Sequence, residues 1–117
     1  MEKILIIDDE SKFRKEYKTI IKSLKLAALE ASNALEAANI LMREKSNIAL
    51  ILLDISIPEV DGRGIFEIIE EYAPQIPVVV SSIFPVKDQR LKVPGAREYH
   101  NKADGKKVLL EKLKTIL

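Results

Sequence analysis

The chain has 117 residues, which is enough for one domain with a buried core. Its 19 basic and 18 acidic residues give a formal charge of +1, so the chain lacks the excess of positive charge that is typical of nucleic-acid-binding domains. The absence of cysteine excludes disulfides and cysteine-zinc sites, and a single histidine and no tryptophan leave little material for histidine catalysis or for stacking on bases.

The first quarter of the chain predicts a strand followed by a helix. Ile4 to Ile7 form a short apolar strand that stops at Asp8 and Asp9. Apolar residues then recur from Phe13 to Leu24 at the spacing of one helix face, with Ser11 as a plausible cap. The opening apolar run is too short for a signal peptide, and no run in the sequence approaches the length of a membrane span. We therefore expect a cytoplasmic protein.

A weaker strand and a second helix are predicted next. Leu26 to Glu30 can form the strand, although alanine is not a strand former. Ser32 or Asn33 can cap the helix that follows. The helix face that we expect to point inward consists of Leu35, Ala38, Leu41 and Met42.

The centre of the chain is an unbroken apolar run, Ile48 to Leu53, that ends at Asp54. Such a run is typical of a strand buried on both faces of a sheet. A Pro-x-x-Asp-Gly turn, Pro58 to Gly62, follows closely. Ligands bind at the carboxyl ends of the strands in open parallel sheets. A lone Asp at this place is more often a turn cap, so a ligand-binding role for Asp54 depends on the other acids in the chain.

Three further elements are predicted between the centre and the last strand. Gly62 to Tyr72 reads as a third helix that buries Ile65, Phe66, Ile68 and Ile69, and Pro77 to Ser82 reads as an apolar strand. Pro85 and Pro94 interrupt the next stretch, so only a short helix near Lys87 to Leu91 fits there.

The last elements are a strand and a helix. Ala96 to His100 can form the strand, and Asp104 can cap a helix that turns Val108, Leu109, Leu113 and Ile116 inward. Strands that alternate with helices in this way indicate a single α/β domain, residues 1–117, with a parallel sheet covered on both faces.

In such a sheet the acids at the ends of the first and third strands become neighbours if those strands are adjacent. Asp8, Asp9 and Asp54 would then meet, and two unit charges about 4 Å apart repel by roughly 4 kcal/mol at an effective dielectric near 20. The cluster must bind protons or a cation, and an all-oxygen site suits Mg²⁺. An Asp beside Mg²⁺ can act as a nucleophile towards phosphorus. Two residues at the ends of later strands fit this chemistry. Ser82 could donate a hydrogen bond from its hydroxyl to a phosphoryl oxygen, and Lys102 could supply a positive charge.

Four stretches in this order, Ile4–Glu10, Leu52–Gly62, Pro77–Ser82 and Gly95–Lys102, resemble the response-regulator receiver domain of two-component signalling, and the resemblance covers essentially the whole chain. It implies a doubly wound, flavodoxin-like receiver fold with five parallel strands in the order 2-1-3-4-5. The prolines after Ser82 lead us to expect a short or irregular fourth helix.

The resemblance also implies a role for each site residue. Asp54 would be the phospho-acceptor, and Asp9 and Asp54 would ligate Mg²⁺ together with the backbone carbonyl of Ser56. Asp8 would act mainly through a metal-bound water. Three further residues complete the implied site: Ser82 as the switch hydroxyl (with Ser81 as a competitor that should point to the opposite face of the strand), Lys102 as the phosphate-binding lysine, and Tyr99 as the switch aromatic.

The sequence departs from the family pattern beside these residues. Ile83 stands where an Ala or Gly is usual, which would narrow the access to Asp54. Phe84 stands where a polar residue can help to orient hydrolytic water, so we expect a long-lived phosphoryl group. Ala103 replaces the usual proline, so we expect no cis peptide there and a less firmly positioned Lys102.

The resemblance implies a non-enzymatic receiver that takes a phosphoryl group from a histidine kinase or phosphotransfer protein and signals by altered docking to a protein. We expect a monomer or weak dimer, with no direct contact to nucleic acid or membrane. The alternative is a degenerate receiver that acts as a phosphorylation-independent interaction module. A haloacid-dehalogenase-type phosphatase is less favoured because Ser56 stands where its second acid would be. A flavodoxin-like nucleotide binder is less favoured because no phosphate loop follows the first strand.

Overall fold

Strands and helices alternate along the chain, as the sequence predicts. The computed structural model describes residues 2–56 and 62–117. The strands are β1 (Lys3–Ile7), β2 (Ala27–Ala31), β3 (Ile48–Leu53), β4 (Val78–Ser82) and β5 (Glu98–Asn101). The helices are α1 (Ser11–Ser23), α2 (Ala34–Glu44), α3 (Gly62–Tyr72), α4 (Val86–Lys92) and α5 (Gly105–Ile116), and short 3₁₀ turns at Lys45–Asn47 and Lys102–Asp104 precede β3 and α5.

The five strands form one parallel sheet in the order β2-β1-β3-β4-β5, which confirms the predicted fold class. Strands β1 and β3 lie side by side in the middle, and Ile7 pairs with Leu53 at their carboxyl ends. The residues that follow these two strands therefore emerge next to each other.

The sheet has a hydrophobic core on each face. In β3, Leu50 and Leu52 pack into the core under α1 and α5. The alternate residues Ile51 and Leu53 pack into the core under α2 and α3. This alternation explains why the central strand carries no polar residue before Asp54, since neither face of it meets water.

The inward face predicted for α2 is wrong in part. Leu35 is 72% exposed and Met42 is 83% exposed, whereas Ala37, Ile40 and Leu41 are buried. The helix has apolar residues around most of its circumference, so periodicity alone could not select the buried face. The observed face combines a small Ala37 with two large side chains, which allows a close approach to the sheet.

Of the three helix caps predicted from the sequence, the one at α2 makes a side-chain hydrogen bond. There the Asn33 side chain accepts a hydrogen bond from the Glu36 N–H at 2.9 Å. Ser11 is the first residue of α1, so its prediction as the cap is wrong; Glu10 holds the cap position. Asp104 does precede α5, but its side chain makes no capping hydrogen bond.

Ile68 and Val108, both predicted to be buried, are 38% and 39% exposed.

Helix α4 is short, as predicted. It has seven residues, follows Pro85 directly and ends at Lys92, two residues before Pro94. The predicted turn from Pro58 to Gly62 lies outside the described residues, except that Gly62 begins α3. Among the helices of residues 2–56 and 62–117, none is both long enough and apolar enough to cross a bilayer.

Candidate functional site

Backbone pairing brings two carboxylates together at the carboxyl edge of the sheet. The Asp54 N–H donates to the Ile7 carbonyl at 2.9 Å, and the Asp8 N–H donates to the Ala31 carbonyl at 3.0 Å. The hydrogen-bond ladder therefore continues one residue beyond β1 and β3, and both carboxylates are buried where it ends.

Among the residues that the structure describes, four acids meet at this edge. One carboxylate oxygen from each of Asp8, Asp9, Glu10 and Asp54 lies within 4.8 Å of the others. Asp8 and Asp54 are buried, whereas Asp9 and Glu10 are exposed. The sequence predicted three of these acids, and it missed Glu10 because that residue lies beyond the strand end, at the start of α1.

Lys102 completes the cluster from the end of β5. Its Nζ donates to Asp8 Oδ2 at 2.9 Å and to Asp54 Oδ2 at 3.3 Å. The lysine side chain is only 3% exposed, so the ion pairs are shielded from water. Part of the acid cluster's negative charge is thus balanced from within the chain.

The Asp54 carboxylate is held by opposing influences. Burial raises its pKa above the ordinary value, the Lys102 ammonium lowers it, and the neighbouring Asp8 raises it. The Ser56 N–H donates to Asp54 Oδ1 at 3.0 Å and favours the charged form. Within residues 2–56 and 62–117, each oxygen of Asp54 therefore accepts one hydrogen bond, Oδ1 from the Ser56 N–H and Oδ2 from Lys102.

Asp8 differs from Asp9 in how its oxygens are used. Asp8 Oδ1 accepts the Glu10 N–H at 2.9 Å, and Asp8 Oδ2 accepts from Lys102. Asp9 is exposed to solvent at the same edge. A cation that approaches from solvent can therefore reach the exposed Asp9 directly, whereas each oxygen of Asp8 and of Asp54 already accepts a hydrogen bond.

The donor set fits a hard divalent cation. All the converging side-chain atoms are carboxylate oxygens, which are the ligands that Mg²⁺ prefers, and few protein ligands are typical of Mg²⁺ sites. Ser56, predicted to contribute its carbonyl, lies directly beside Asp54 through the hydrogen bond from its N–H.

Two serines at the end of β4 lie on opposite faces of the sheet. Ser81 Oγ hydrogen-bonds the Tyr17 hydroxyl at 2.6 Å, on the α1 side. Ser82 is also fully buried, and its Oγ accepts the Phe84 N–H at 3.3 Å. The alternation that the sequence predicted for Ser81 and Ser82 is therefore present.

Gln89 in α4 joins the segment after Ser82 to β5, and the sequence did not predict this. Its Nε2 donates to the carbonyls of Phe84 at 2.7 Å and His100 at 2.8 Å, with a longer contact to the Ser82 carbonyl at 3.5 Å. Gln89 is fully buried. The sequence feature that could have predicted these contacts is the polar side chain of Gln89 on the inward face of a short helix.

Tyr99 is turned inward. Its side chain is 2% exposed, its hydroxyl donates to the Val93 carbonyl at 2.6 Å and accepts the Ala96 N–H at 3.2 Å. The Arg90 guanidinium lies 4.8 Å from the ring centroid. The predicted switch aromatic is thus bound to the segment that connects α4 with β5.

The residues that depart from the family pattern have different environments. Ile83 is 66% exposed. Phe84 packs against the core under α2 and α3, and the Lys92 ammonium lies 4.9 Å from its ring centroid. The Lys102–Ala103 peptide is trans, and the Asn101 side chain accepts the Ala103 N–H at 2.9 Å.

Comparisons with known proteins find relatives of this chain by sequence and by fold. The family profile described as the response regulator receiver domain matches residues 4–114. The chain is 28% identical over 117 residues to "Probable transcriptional regulator ycf27" of Porphyridium aerugineum, which covers 99% of the chain and 48% of that relative. The chain therefore spans about half the length of this curated relative.

Two solved structures have the same fold. The response regulator protein TrrA from Thermotoga maritima, crystallised in complex with Mg(2+)-BeF, matches with a TM-score of 0.87 and 26% identity over 100% of both chains. The CheX-CheY-BeF3-Mg+2 complex from Borrelia burgdorferi matches with a TM-score of 0.85 and 25% identity over 97% of this chain and 87% of that one.

Proposed function

This chain belongs to the response-regulator receiver domain family, and from that premise we propose that it accepts a phosphoryl group on Asp54 from a histidine kinase or phosphotransfer protein. In this proposal residues 1–117 form a single receiver domain of the cytoplasm. It is a phospho-acceptor that takes part in its own phosphoryl transfer and is not an enzyme with a separate substrate.

One observation carries the proposal: the Asp54 carboxylate lies beside a buried ammonium and within a cluster of other acids. Lys102 Nζ lies 3.3 Å from Asp54 Oδ2, and an oxygen of each of the other three acids lies within 4.8 Å. A structural ion pair needs one acid and one base, whereas this site holds an excess of negative charge at a sheet edge. Such an excess is typical of a site that binds a cation and an oxyanion together.

The chemistry proposed for Asp54 is an in-line displacement. An Asp54 oxygen forms a bond to phosphorus while the bond from phosphorus to the imidazole nitrogen of the donor breaks. The bonding electrons leave with that nitrogen. Lys102 and Ser82 would then donate hydrogen bonds to the phosphoryl oxygens, which carry about −1.5 to −2 charges.

Asp9 and Asp54, together with the Ser56 carbonyl, are the proposed ligands of Mg²⁺, and Asp8 is proposed to act indirectly. When bound, the ion would supply positive charge to the phosphoryl oxygens. The Mg(2+)-BeF complex of the Thermotoga relative supports this assignment, as does the all-carboxylate donor set.

We propose that the output is altered docking to a protein. Gln89 and Tyr99 tie the segment after Ser82 to α4 and β5, so a movement of Ser82 towards a phosphoryl group would shift that surface. The relative solved as a CheX–CheY complex supports a protein partner. A monomer or weak dimer without direct contact to nucleic acid or membrane completes the proposal.

The test is incubation with Mg²⁺ and acetyl phosphate, followed by intact-mass measurement. The parent should gain the mass of one phosphoryl group, and the gain should disappear in Asp54→Asn or after chelation of the metal. Asp104→Asn, which changes an exposed acid after β5, is the matched control and should be phosphorylated like the parent. A parent that gains no mass would overturn the proposal in favour of a phosphorylation-independent interaction module.

A further inference from the structure

The Lys102 ammonium contacts an aromatic ring as well as two carboxylates. Its Nζ lies 3.9 Å from the centroid of the Phe13 ring on α1. Phe13 is half-buried and packs against the core under α1 and α5, and its ring centroid lies 6.2 Å from that of Tyr17. The ammonium is therefore held between the acid pair and this ring.

A ring in this position stabilises a cation without competing for the carboxylates. The face of an aromatic ring is negative, and its attraction for a lysine increases when the ammonium is removed from water. Lys102 meets that condition, since its side chain is only 3% exposed. Phe13 has no charge to titrate, so its attraction for the ammonium does not depend on the protonation of a second group.

The backbone around Lys102 does not fix the position of the lysine ammonium, so side-chain contacts must do so. Ala103 follows the lysine, and the hydrogen bond from the Ala103 N–H to the Asn101 side chain restrains the start of the 3₁₀ turn rather than the long lysine side chain. The lysine side chain is held by hydrogen bonds to Asp8 and Asp54. Any cation that draws Asp8 away from Lys102 removes one of these two restraints, and the contact with Phe13 remains.

We propose that Phe13 is a positioning residue that keeps the Lys102 ammonium directed at Asp54, so that it meets the phosphoryl group; this role rests on the function proposed above. In this role Phe13 acts through the Lys102 ammonium and not by direct contact with the phosphoryl group or with Mg²⁺. A residue that served the core alone would be replaceable by any apolar side chain of similar size.

The test compares Phe13→Leu, which keeps an apolar side chain, with Phe13→Tyr, which keeps an aromatic face. The probe is beryllofluoride with saturating Mg²⁺, titrated against each full-length variant. Phe13→Leu should weaken beryllofluoride binding about three- to tenfold. Phe13→Tyr should stay within about twofold of the parent, and urea unfolding of both variants should show that they are folded.

A double-mutant cycle with Lys102→Met separates positioning from packing. If Phe13 acts through the ammonium, Phe13→Leu should have almost no effect on beryllofluoride binding once Lys102 is methionine. An equal loss in both backgrounds, or no loss in either, would overturn the role of Phe13.

A second measurement does not depend on phosphoryl chemistry. In the metal-free parent, the Phe13 ring should shift the NMR signals of the Lys102 Hε protons upfield, and Phe13→Leu should abolish that shift. The upfield shift should persist in the beryllofluoride complex. If the parent does not bind beryllofluoride, the function proposed for Asp54 fails; if the upfield shift is missing from the metal-free parent, the positioning role fails by itself.

Discussion

Asp54 combines burial with a function that needs its charge. Its side chain is buried next to Asp8, and burial raises its pKa, while Lys102 restores part of the stability of the charged form. A carboxyl whose pKa is raised on folding favours the neutral form in the folded chain. The charged Asp54 therefore opposes folding at neutral pH, and the effect fades as pH falls through the folded-state pKa.

The first prediction follows from this opposition. In the absence of divalent ions at pH 7, Asp54→Asn should have a higher free energy of unfolding than the parent. With Mg²⁺ at ten times its dissociation constant the parent should gain about 1.4 kcal/mol, because only the folded state binds the ion. Asp54→Asn should lose most of that gain. Urea unfolding with and without Mg²⁺ measures both effects.

The control for this prediction is Glu111→Gln, an exposed acid on α5 outside the cluster, which should keep the full effect of Mg²⁺. A parent whose unfolding is unaffected by Mg²⁺, or an equal gain in Asp54→Asn, would contradict the assignment of Asp54 as a ligand.

The second prediction concerns Phe84, whose ring lies between the core and Lys92. The resemblance to receiver domains implies that a polar residue at this position helps to orient water for attack on phosphorus, which a phenyl ring cannot do. Phe84→Asp should therefore shorten the lifetime of the phosphoryl group by about tenfold, which is below the usual range for a well-placed general base. The measurement is loss of the phosphoryl mass over time after removal of acetyl phosphate.

Phe84→Leu keeps an apolar side chain and is the matched control, with a lifetime close to that of the parent. Equal lifetimes in the parent and in Phe84→Asp would show that the residue at this position does not limit hydrolysis.

At the scale of single elements, a strand or helix was predictable where its apolar pattern fitted one arrangement, and its buried face was not predictable where the pattern fitted two. The run that ends in Leu53 was interpreted as a strand buried on both faces, which the structure confirms, and Pro85 and Pro94 limited α4 to a short helix. Helix α2 offered two apolar faces, and the choice of Ile40 over Met42 depended on contacts with the sheet that no local pattern contains.

The carboxyl end of α1 contains a local strain. Lys25 has a φ of 61°, in the left-handed region that favours glycine. The Lys25 N–H donates to the Lys22 carbonyl at 2.9 Å and the Leu26 N–H donates to the Ile21 carbonyl at 3.2 Å. These two hydrogen bonds form a Schellman motif. Its left-handed position, here Lys25, disfavours any residue with a Cβ.

The third prediction is that Lys25→Gly stabilises the fold by about 0.5–1 kcal/mol, since the strain removed exceeds the added entropy of the unfolded chain. Lys15→Gly, in the middle of α1, makes the same chemical change and should destabilise by about 1 kcal/mol. Urea unfolding of the two variants should therefore give shifts of opposite sign. A loss of stability in both would contradict the strain at Lys25.

At the scale of the whole molecule, the site joins residues that are far apart in sequence. Lys102 and Asp8 are separated by 94 positions and lie 2.9 Å apart. Their meeting was predictable because the carboxyl ends of parallel strands share one edge of the sheet. The contacts of Phe13 and Gln89 were not, because they depend on how helices α1 and α4 are oriented over that sheet.

The single histidine of the chain lies inside this assembly, and it makes stability depend on pH. His100 on β5 is 2% exposed, and no hydrogen-bond partner for its Nδ1 is found within the described part of the chain. Its pKa is lowered to about 4, first by burial and then by the Lys112 ammonium, while Asp104 acts in the opposite direction. The ordinary pKa of histidine is about 6.5, so the unfolded chain takes up this proton before the folded chain does.

The fourth prediction follows from that difference, because the unfolded state binds more protons between about pH 6.5 and pH 4 and stability must fall as pH falls through this window. The contribution is absent above pH 7 and amounts to about 2 kcal/mol of lost stability at pH 5. His100→Leu cannot bind the proton, so its free energy of unfolding should depend less steeply on pH between 7.5 and 5, while carboxylates contribute equally to both proteins. Urea unfolding at several pH values measures the two slopes; equal slopes would mean that His100 is as easily protonated in the folded chain as in the unfolded one.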